Sequence, residues 1–149
     1  MREIYPVLQE VIDSGGEFRL SPRGTSMLPL LREGRDSVVL VAKGDLKKRQ
    51  ICLYRRTDGS FVLHRILVFD KVGEPVFCGD NQTKREYGIK REDVIAVVAA
   101  IYRGEKRKSV TSFSVRLYSF FHCIMLCRRT TFFVRRVWNR FFSHKKKKD

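Results

Sequence analysis

The amino-acid sequence predicts a mainly β protein, with one helix before the β segments and a basic amphipathic helix after them. Short runs rich in Val, Ile, Leu and Phe alternate with turn residues over most of the first 103 positions. Both ends of the chain instead repeat apolar residues at helical spacing. Apolar residues make up 43% of the 149 residues, enough for one core. We therefore expect a helix at 1–16, a β domain at 17–103 and a helical tail at 104–149.

The N-terminal helix is indicated by a set of apolar residues that share one helical face: Ile4, Val7, Leu8, Val11 and Ile12. Gly15 and Gly16 follow directly, and glycine commonly ends a helix. We expect this helix to cover one side of the β domain.

The β segments follow in order as an extended piece at 17–20 and strands at 37–42, 51–55, 60–69, 75–78 and 94–102. Thr57, Asp58 and Gly59 form a good hairpin turn between the strands at 51–55 and 60–69. The run at 94–102 is long enough for a fully buried strand, although periodicity by itself does not exclude a helix there.

The tail carries one apolar stripe at alternating spacings of four and three: Phe113, Leu117, Phe120, Ile124, Cys127, Thr131, Val134, Trp138 and Phe141. Arginine pairs lie away from this stripe, as expected for a helix in the interface of an anionic membrane, here through residues 109–148. The alternative is that the stripe packs on the β domain. Periodicity identifies the face but not what covers it.

The formal net charge of +15 is concentrated in this tail. Residues 103–149 hold 14 basic and 2 acidic residues, whereas residues 1–102 hold 17 and 14. The charge therefore indicates the localisation of the protein more than its activity. We expect no specific nucleic-acid partner, because the nearly neutral β domain offers no pair of helices of the DNA-binding type.

Several classes of protein are excluded by the pattern. No apolar run reaches the roughly 18 residues of a membrane-spanning helix, and the first residues do not read as a secretory signal. The four cysteines, at 52, 78, 123 and 127, are scattered and indicate reduced thiols. Cys123 and Cys127 beside His122 lack the spacing and the second pair of a zinc site. We expect a cytoplasmic protein, peripheral on the inner membrane face if the tail binds lipid, with no metal or cofactor.

Three segments of the β domain hold residues suited to catalysis. Ser26 follows a glycine turn in Gly24-Thr25-Ser26-Met27-Leu28-Pro29, where backbone N–H groups can stabilise an oxyanion. His64 lies inside the strand at 60–69, and Asp80 follows the strand at 75–78 in Gly79-Asp80-Asn81. Each has an ordinary structural reading by itself: a helix N-cap, a buried histidine and a turn aspartate.

In this order the three segments resemble the serine-peptidase superfamily of type I signal peptidases and self-cleaving SOS and phage repressors. The resemblance rests on Gly24-x-Ser26-Met27-x-Pro29, on His64 followed by Arg65, and on Gly79-Asp80-Asn81, and it covers residues 18–103. It implies a coiled, barrel-like β fold, and some small bacterial members share the basic tail. Gly34-Arg35 and Arg49-Gln50 depart from the family's usual Gly-Asp pairs.

The resemblance also implies roles for individual residues. Ser26 is the expected nucleophile, His64 the general base in place of the more common lysine, and Asp80 the acid that orients the imidazole. The Ser26 N–H, helped by Thr25, is the expected oxyanion donor in a substrate-binding loop that includes Gly24, Met27 and Pro29.

The sequence thus predicts a serine endopeptidase that acts on a peptide or protein bound as an added strand. The alternative is a non-catalytic member of the same fold that binds a peptide or partner protein and is localised by its basic tail. The oligomeric state is not indicated.

Overall fold

Seven strands form one antiparallel sheet whose two edges do not meet, with the strand order β1-β2-β6-β3-β4-β5 and β7 beside β6. The computed structural model describes residues 3–123. The elements, in chain order, are α1 (Tyr5–Asp13), β1 (Phe18–Leu20), β2 (Asp36–Ala42), β3 (Ile51–Arg55), β4 (Phe61–Phe69), β5 (Pro75–Cys78), β6 (Val94–Arg103), β7 (Lys106–Ser109) and α2 (Phe113–Cys123). A short 3₁₀ helix, Arg91–Asp93, precedes β6. The mainly β prediction is confirmed.

The predicted strands are confirmed to within about one residue at each end. The run at 94–102, which the sequence left open between strand and helix, is the central strand β6. It pairs with β2 along one edge, while β3 and β7 share the other. All of its residues except Arg103 are buried or partly buried, so both faces of the strand are covered, which explains the missing alternation of apolar and polar residues.

Strand β7 was not predicted, and it lies inside the segment expected to be a helical tail. Its four residues are all exposed and polar or charged, so no apolar pattern marks them. Gly104, with φ of +61°, turns the chain back, and β7 then pairs with the last residues of β6 through backbone hydrogen bonds.

The core lies on both faces of the sheet. Leu53 and Leu63 belong to one cluster, together with Leu8 and Ile12 of α1, while Tyr54 belongs to a second cluster on the opposite face. Successive strand residues point to opposite faces, so β3 and β4 contribute to both clusters.

The predicted apolar face of α1 is confirmed in part. Leu8 and Ile12 are buried, but Ile4 and Val7 are exposed. Leu8 and Ile12 lie one helical turn apart on the buried face, whereas Ile4 precedes the first residue of the helix.

Helix α2 begins at the first residue of the predicted tail stripe. Phe113, Leu117 and Phe120 are exposed, whereas Val115 and Ser119 are buried against the sheet. The remaining stripe residues, from Ile124 onward, lie outside the described residues. No helix within residues 3–123 has the length and apolar character needed to cross a membrane.

Candidate active site

The serine loop lies between β1 and β2 and is anchored from within. Met27 is buried in the first core cluster, and its carbonyl accepts a hydrogen bond from the N–H of Leu31 at 2.9 Å. Gly24 has φ of +88°, a left-handed conformation that favours glycine, and its N–H donates to Oε2 of Glu33 at 2.8 Å. Ser26 is therefore held between a buried anchor and a glycine turn.

The turn after β5 holds this loop from the other side. The Asn81 N–H donates to the Ser26 carbonyl at 2.7 Å, and Asn81 Nδ2 donates to the Thr25 carbonyl at 3.1 Å. Two of the three sequence segments are thus joined directly. The segments are 55 positions apart in the sequence, and only the fold brings them together.

Gly79 brings His64 into the same contact. A Cβ atom at this position would lie 2.6 Å from the Ser26 carbonyl oxygen and 3.0 Å from His64 Nε2. Real Cβ atoms do not approach backbone oxygens so closely, so no larger residue fits without moving the loop. The absence of a side chain at Gly79 allows the serine loop and the imidazole to pack at one point.

One cavity of about 280 Å³ is lined by both Ser26 and His64. Gly24 and Met27 also line it, as do residues from the start of β4. Thr25 is exposed beside it, and Pro29 lines a different cavity, next to α2. The structure therefore brings the predicted nucleophile and base to one cavity, with part of the predicted binding loop.

His64 is buried on β4, and Tyr54 of β3 contacts its ring. The Tyr54 hydroxyl lies 3.1 Å from His64 Nδ1 and donates to Glu86 Oε2 at 2.8 Å. Arg56 Nη2 donates to the same carboxylate at 2.7 Å. The Glu86 N–H donates to the Phe77 carbonyl of β5 at 2.8 Å, and the Phe77 N–H donates to the Glu86 carbonyl at 3.0 Å. These two backbone bonds fix the Glu86 carboxylate beside the sheet.

The charges in this chain of contacts determine where the protons lie. Burial, followed by the hydrogen bond to Glu86, raises the pKa of the Tyr54 hydroxyl far above its ordinary value. Burial would also raise the pKa of the Glu86 carboxyl, but hydrogen bonds from Arg56 and Tyr54 hold it below its ordinary range. Tyr54 thus stays protonated, and its hydroxyl donates a hydrogen bond to the ionised Glu86 carboxylate.

This arrangement selects one form of the neutral imidazole. The Tyr54 hydroxyl has one hydrogen, and it donates that hydrogen to Glu86. The Tyr54 oxygen can therefore only accept a hydrogen bond from Nδ1 of His64. Nδ1 then carries the hydrogen, and the lone pair lies on Nε2. Nε2 is the nitrogen that packs toward Gly79 and the serine loop.

Asp80 is buried on the side of β4 that faces α2, where it forms a two-point ion pair with Arg65. Arg65 Nε and Nη2 donate to its two carboxylate oxygens at 2.8 and 2.7 Å. Arg65 follows His64 in the strand, and successive side chains point to opposite faces. The sequence expected Asp80 to orient the imidazole, but the group bound at Nδ1 is Tyr54.

Tyr54, Glu86 and Arg56 were not among the candidate residues from the sequence. Arg56 and Glu86 form an ion pair beside the histidine. The hairpin turn contained a usable signal for Tyr54. It sets the register that pairs Cys52 with His64, which places Tyr54 two residues away on the same face. Glu86 has no such local signal.

Among residues 3–123 no group of three His, Cys, Asp or Glu side chains is placed to hold a metal ion. Comparison of the chain with protein-family models, curated proteins and solved structures finds no match.

Proposed function

We propose that the protein is a serine endopeptidase in which Ser26 is the nucleophile and His64 Nε2 is the general base. The observation that carries the proposal is the cavity lined by both residues, together with the packing of the Ser26 backbone carbonyl and His64 Nε2 against Gly79. The barrel-like signal-peptidase and repressor fold belongs to this proposal. Its support is the order of the three motif segments in a mainly β domain, the cavity lined by Ser26 and His64, and the contacts of Gly79 and Asn81 with the serine loop.

The proposed reaction is an acyl transfer in two halves. The Ser26 hydroxyl oxygen attacks the scissile carbonyl carbon, while its proton passes to Nε2 of His64. The imidazolium then gives this proton to the leaving amine, and the peptide bond breaks. A water molecule, deprotonated by the same nitrogen, hydrolyses the acyl-enzyme and restores the serine hydroxyl. The Ser26 N–H, with Thr25, stabilises the oxyanion of both tetrahedral intermediates.

Tyr54 and Glu86 take the orienting role that the family resemblance assigned to Asp80. The Tyr54 oxygen accepts the Nδ1 hydrogen, and the Glu86 carboxylate, 3.8 Å from Nδ1, stabilises the imidazolium. Asp80 acts at a distance by binding Arg65 and so holding the strand that carries His64.

An extended peptide suits the edge of the sheet beside this cavity. Within the described residues, β5 pairs with β4 only from Arg65 onward, and no strand covers that edge at residues 61–63. These residues line the cavity next to Ser26. A substrate strand added there has backbone hydrogen-bond partners, and its scissile bond lies near the serine.

The test compares the full chain with its Ser26→Ala variant on a peptide library, with products read by mass spectrometry. We expect Ser26→Ala to lower the cleavage rate by at least roughly 10³-fold, as for loss of a serine nucleophile. Ser21→Ala, which changes an exposed serine in the same loop, is the matched control and keeps full activity.

Equal cleavage by Ser26→Ala and the unchanged chain would contradict the proposal. Peptide binding without cleavage by either protein would contradict it as well, and would favour the non-catalytic alternative. A fluorophosphonate probe gives a second readout, because it should label Ser26 in the unchanged chain and not in a His64→Ala variant.

A further inference from the structure

Helix α2 presents its apolar side chains to solvent. The exposed fractions are 80% for Phe113, 43% for Leu117, 49% for Phe120 and 51% for Phe121. Four large apolar side chains on eleven residues of one helix form a continuous exposed patch, which monomeric proteins rarely leave uncovered.

The opposite face of α2 is fastened to the β domain by polar contacts. The Ser119 hydroxyl accepts a hydrogen bond from Arg65 Nη1 at 2.8 Å, and the Tyr118 hydroxyl donates to Asp80 at 3.3 Å. Val115 is buried beside them. The apolar patch cannot rotate onto the sheet without breaking these bonds, so in the described residues the stripe does not pack on the body.

Basic side chains border α2 on both sides. On one side, a cavity of about 350 Å³ is lined by Lys47, Lys48 and Arg116. On the other side, a cavity of about 450 Å³ is lined by Lys106 and Lys108. No acidic residue lines either cavity, and all five of these basic residues are exposed.

We infer that α2 and its basic borders bind the surface of an anionic lipid bilayer. The apolar patch enters the boundary between headgroups and acyl chains, and the lysines and Arg116 on each side meet the phosphates. Residues 124–149 add nine basic residues and one acidic residue to the same end of the chain, which strengthens attraction to negative lipid. The inference does not depend on the peptidase proposal.

A nucleic acid fits the same charges but not the patch. Phosphate contacts use lysine and arginine, and a contiguous face of Phe and Leu gains nothing from a duplex backbone. A bilayer interface buries that face and neutralises the charges together, so the pairing of the two features favours lipid.

Vesicle flotation tests the inference with the full chain and phosphatidylglycerol-containing vesicles. The patch variant replaces Phe113, Leu117, Phe120 and Phe121 by Gln, a good helix former at exposed sites. We expect its vesicle partition coefficient to fall at least about tenfold. The control variant, Val72→Gln with Tyr87→Gln, removes equally exposed apolar residues elsewhere and keeps full binding.

A charge variant with Glu at Lys47, Lys48, Lys106 and Lys108 should also lose at least about tenfold on these vesicles, since each substitution replaces attraction to the negative lipid surface by repulsion. The unchanged chain should bind vesicles of phosphatidylcholine alone far more weakly. Circular dichroism verifies that each variant is folded.

Three results would overturn the inference. The patch variant could float as well as the unchanged chain. Sedimentation could show that the patch joins two copies of the chain. Alternatively, the chain could bind DNA with strong salt dependence while leaving anionic vesicles unbound.

Discussion

Tyr54 stands between the imidazole of His64 and the carboxylate of Glu86, and its single proton determines which nitrogen of the imidazole is basic. The same side chain stacks on Phe77, with ring centroids 4.2 Å apart, so its hydroxyl has little freedom to move. Tyr54 is therefore a positioning residue, which uses one hydrogen bond to direct Nε2 toward the serine loop.

We predict that Tyr54→Phe lowers kcat by about tenfold or more, part of the roughly 10²–10⁴-fold that general-base catalysis supplies. The phenyl ring keeps the packing but removes the oxygen that accepts the Nδ1 hydrogen, so the imidazole loses its preferred form. Steady-state kinetics on a cleaved peptide measure the effect, with Tyr87→Phe, an exposed tyrosine, as the control.

The pH profile separates positioning from a purely structural effect. Glu86→Gln removes a negative charge near the imidazolium, so the acid limb of kcat/KM should move to lower pH. If Tyr54→Phe keeps its kcat and Glu86→Gln keeps the acid limb, neither residue positions His64.

Three elements meet at Arg65 on the far side of β4. Its guanidinium binds Asp80 after β5, Ser119 of α2 and the Arg49 carbonyl before β3. Both partners of the Arg65–Asp80 pair are only 1% exposed. Burial would lower the pKa of Arg65, but Asp80 raises it above its ordinary value, so the guanidinium keeps its charge. The contacts that join these three segments to β4 thus depend on one buried ion pair.

We predict that Asp80→Asn lowers the free energy of unfolding by about 3–5 kcal/mol, because it leaves a buried guanidinium without its charge partner. Urea denaturation measures the loss. The control is Glu17→Gln, which breaks the exposed Arg107–Glu17 pair and should cost less than about 1 kcal/mol. Similar costs for the two variants would show that Asp80 does not hold these elements together.

The molecule as a whole carries +15, yet most of that charge lies in the tail, and the β domain depends on a few ionised carboxyls. Asp36 at the start of β2 is one of them. Burial opposes its charge, but Arg35, the backbone of Arg32 and Arg103 hold its pKa below the ordinary value. Glu86 is a second ionised carboxyl, because hydrogen bonds from Arg56 and Tyr54 lower its pKa.

We predict that stability is lost on the acid side. The lowered pKa values of Asp36 and Glu86 mean that the folded chain binds fewer protons than the unfolded chain. Their contribution is complete above the unfolded values of about 4 and fades as the pH falls through the folded ones. The urea midpoint should stay level from pH 7 to about 5 and fall below pH 4. Asp36→Asn should reduce this fall, and an unchanged slope would contradict the assignment.

The local pattern determined much of the fold. Apolar runs and turn residues predicted six strands and their approximate bounds, because a strand with a buried face restricts the identity of each of its residues. Strand β7 was missed since its exposed polar residues form no apolar pattern, and its pairing with β6 uses backbone hydrogen bonds that any exposed sequence can make. The start of α2 could be read from its stripe, but not which of its faces contacts the sheet.

The sequence by itself determined the mainly β class, the separation of a nearly neutral domain from a basic tail, and the three segments that hold Ser26, His64 and Asp80. Tertiary structure decided which of these meet. It packs the Ser26 carbonyl and Nε2 of His64 against Gly79, pairs Asp80 with Arg65, and brings Tyr54 and Glu86 to the imidazole. Motifs report local chemistry, whereas partners many positions apart are selected by strand register and burial, which no short segment encodes.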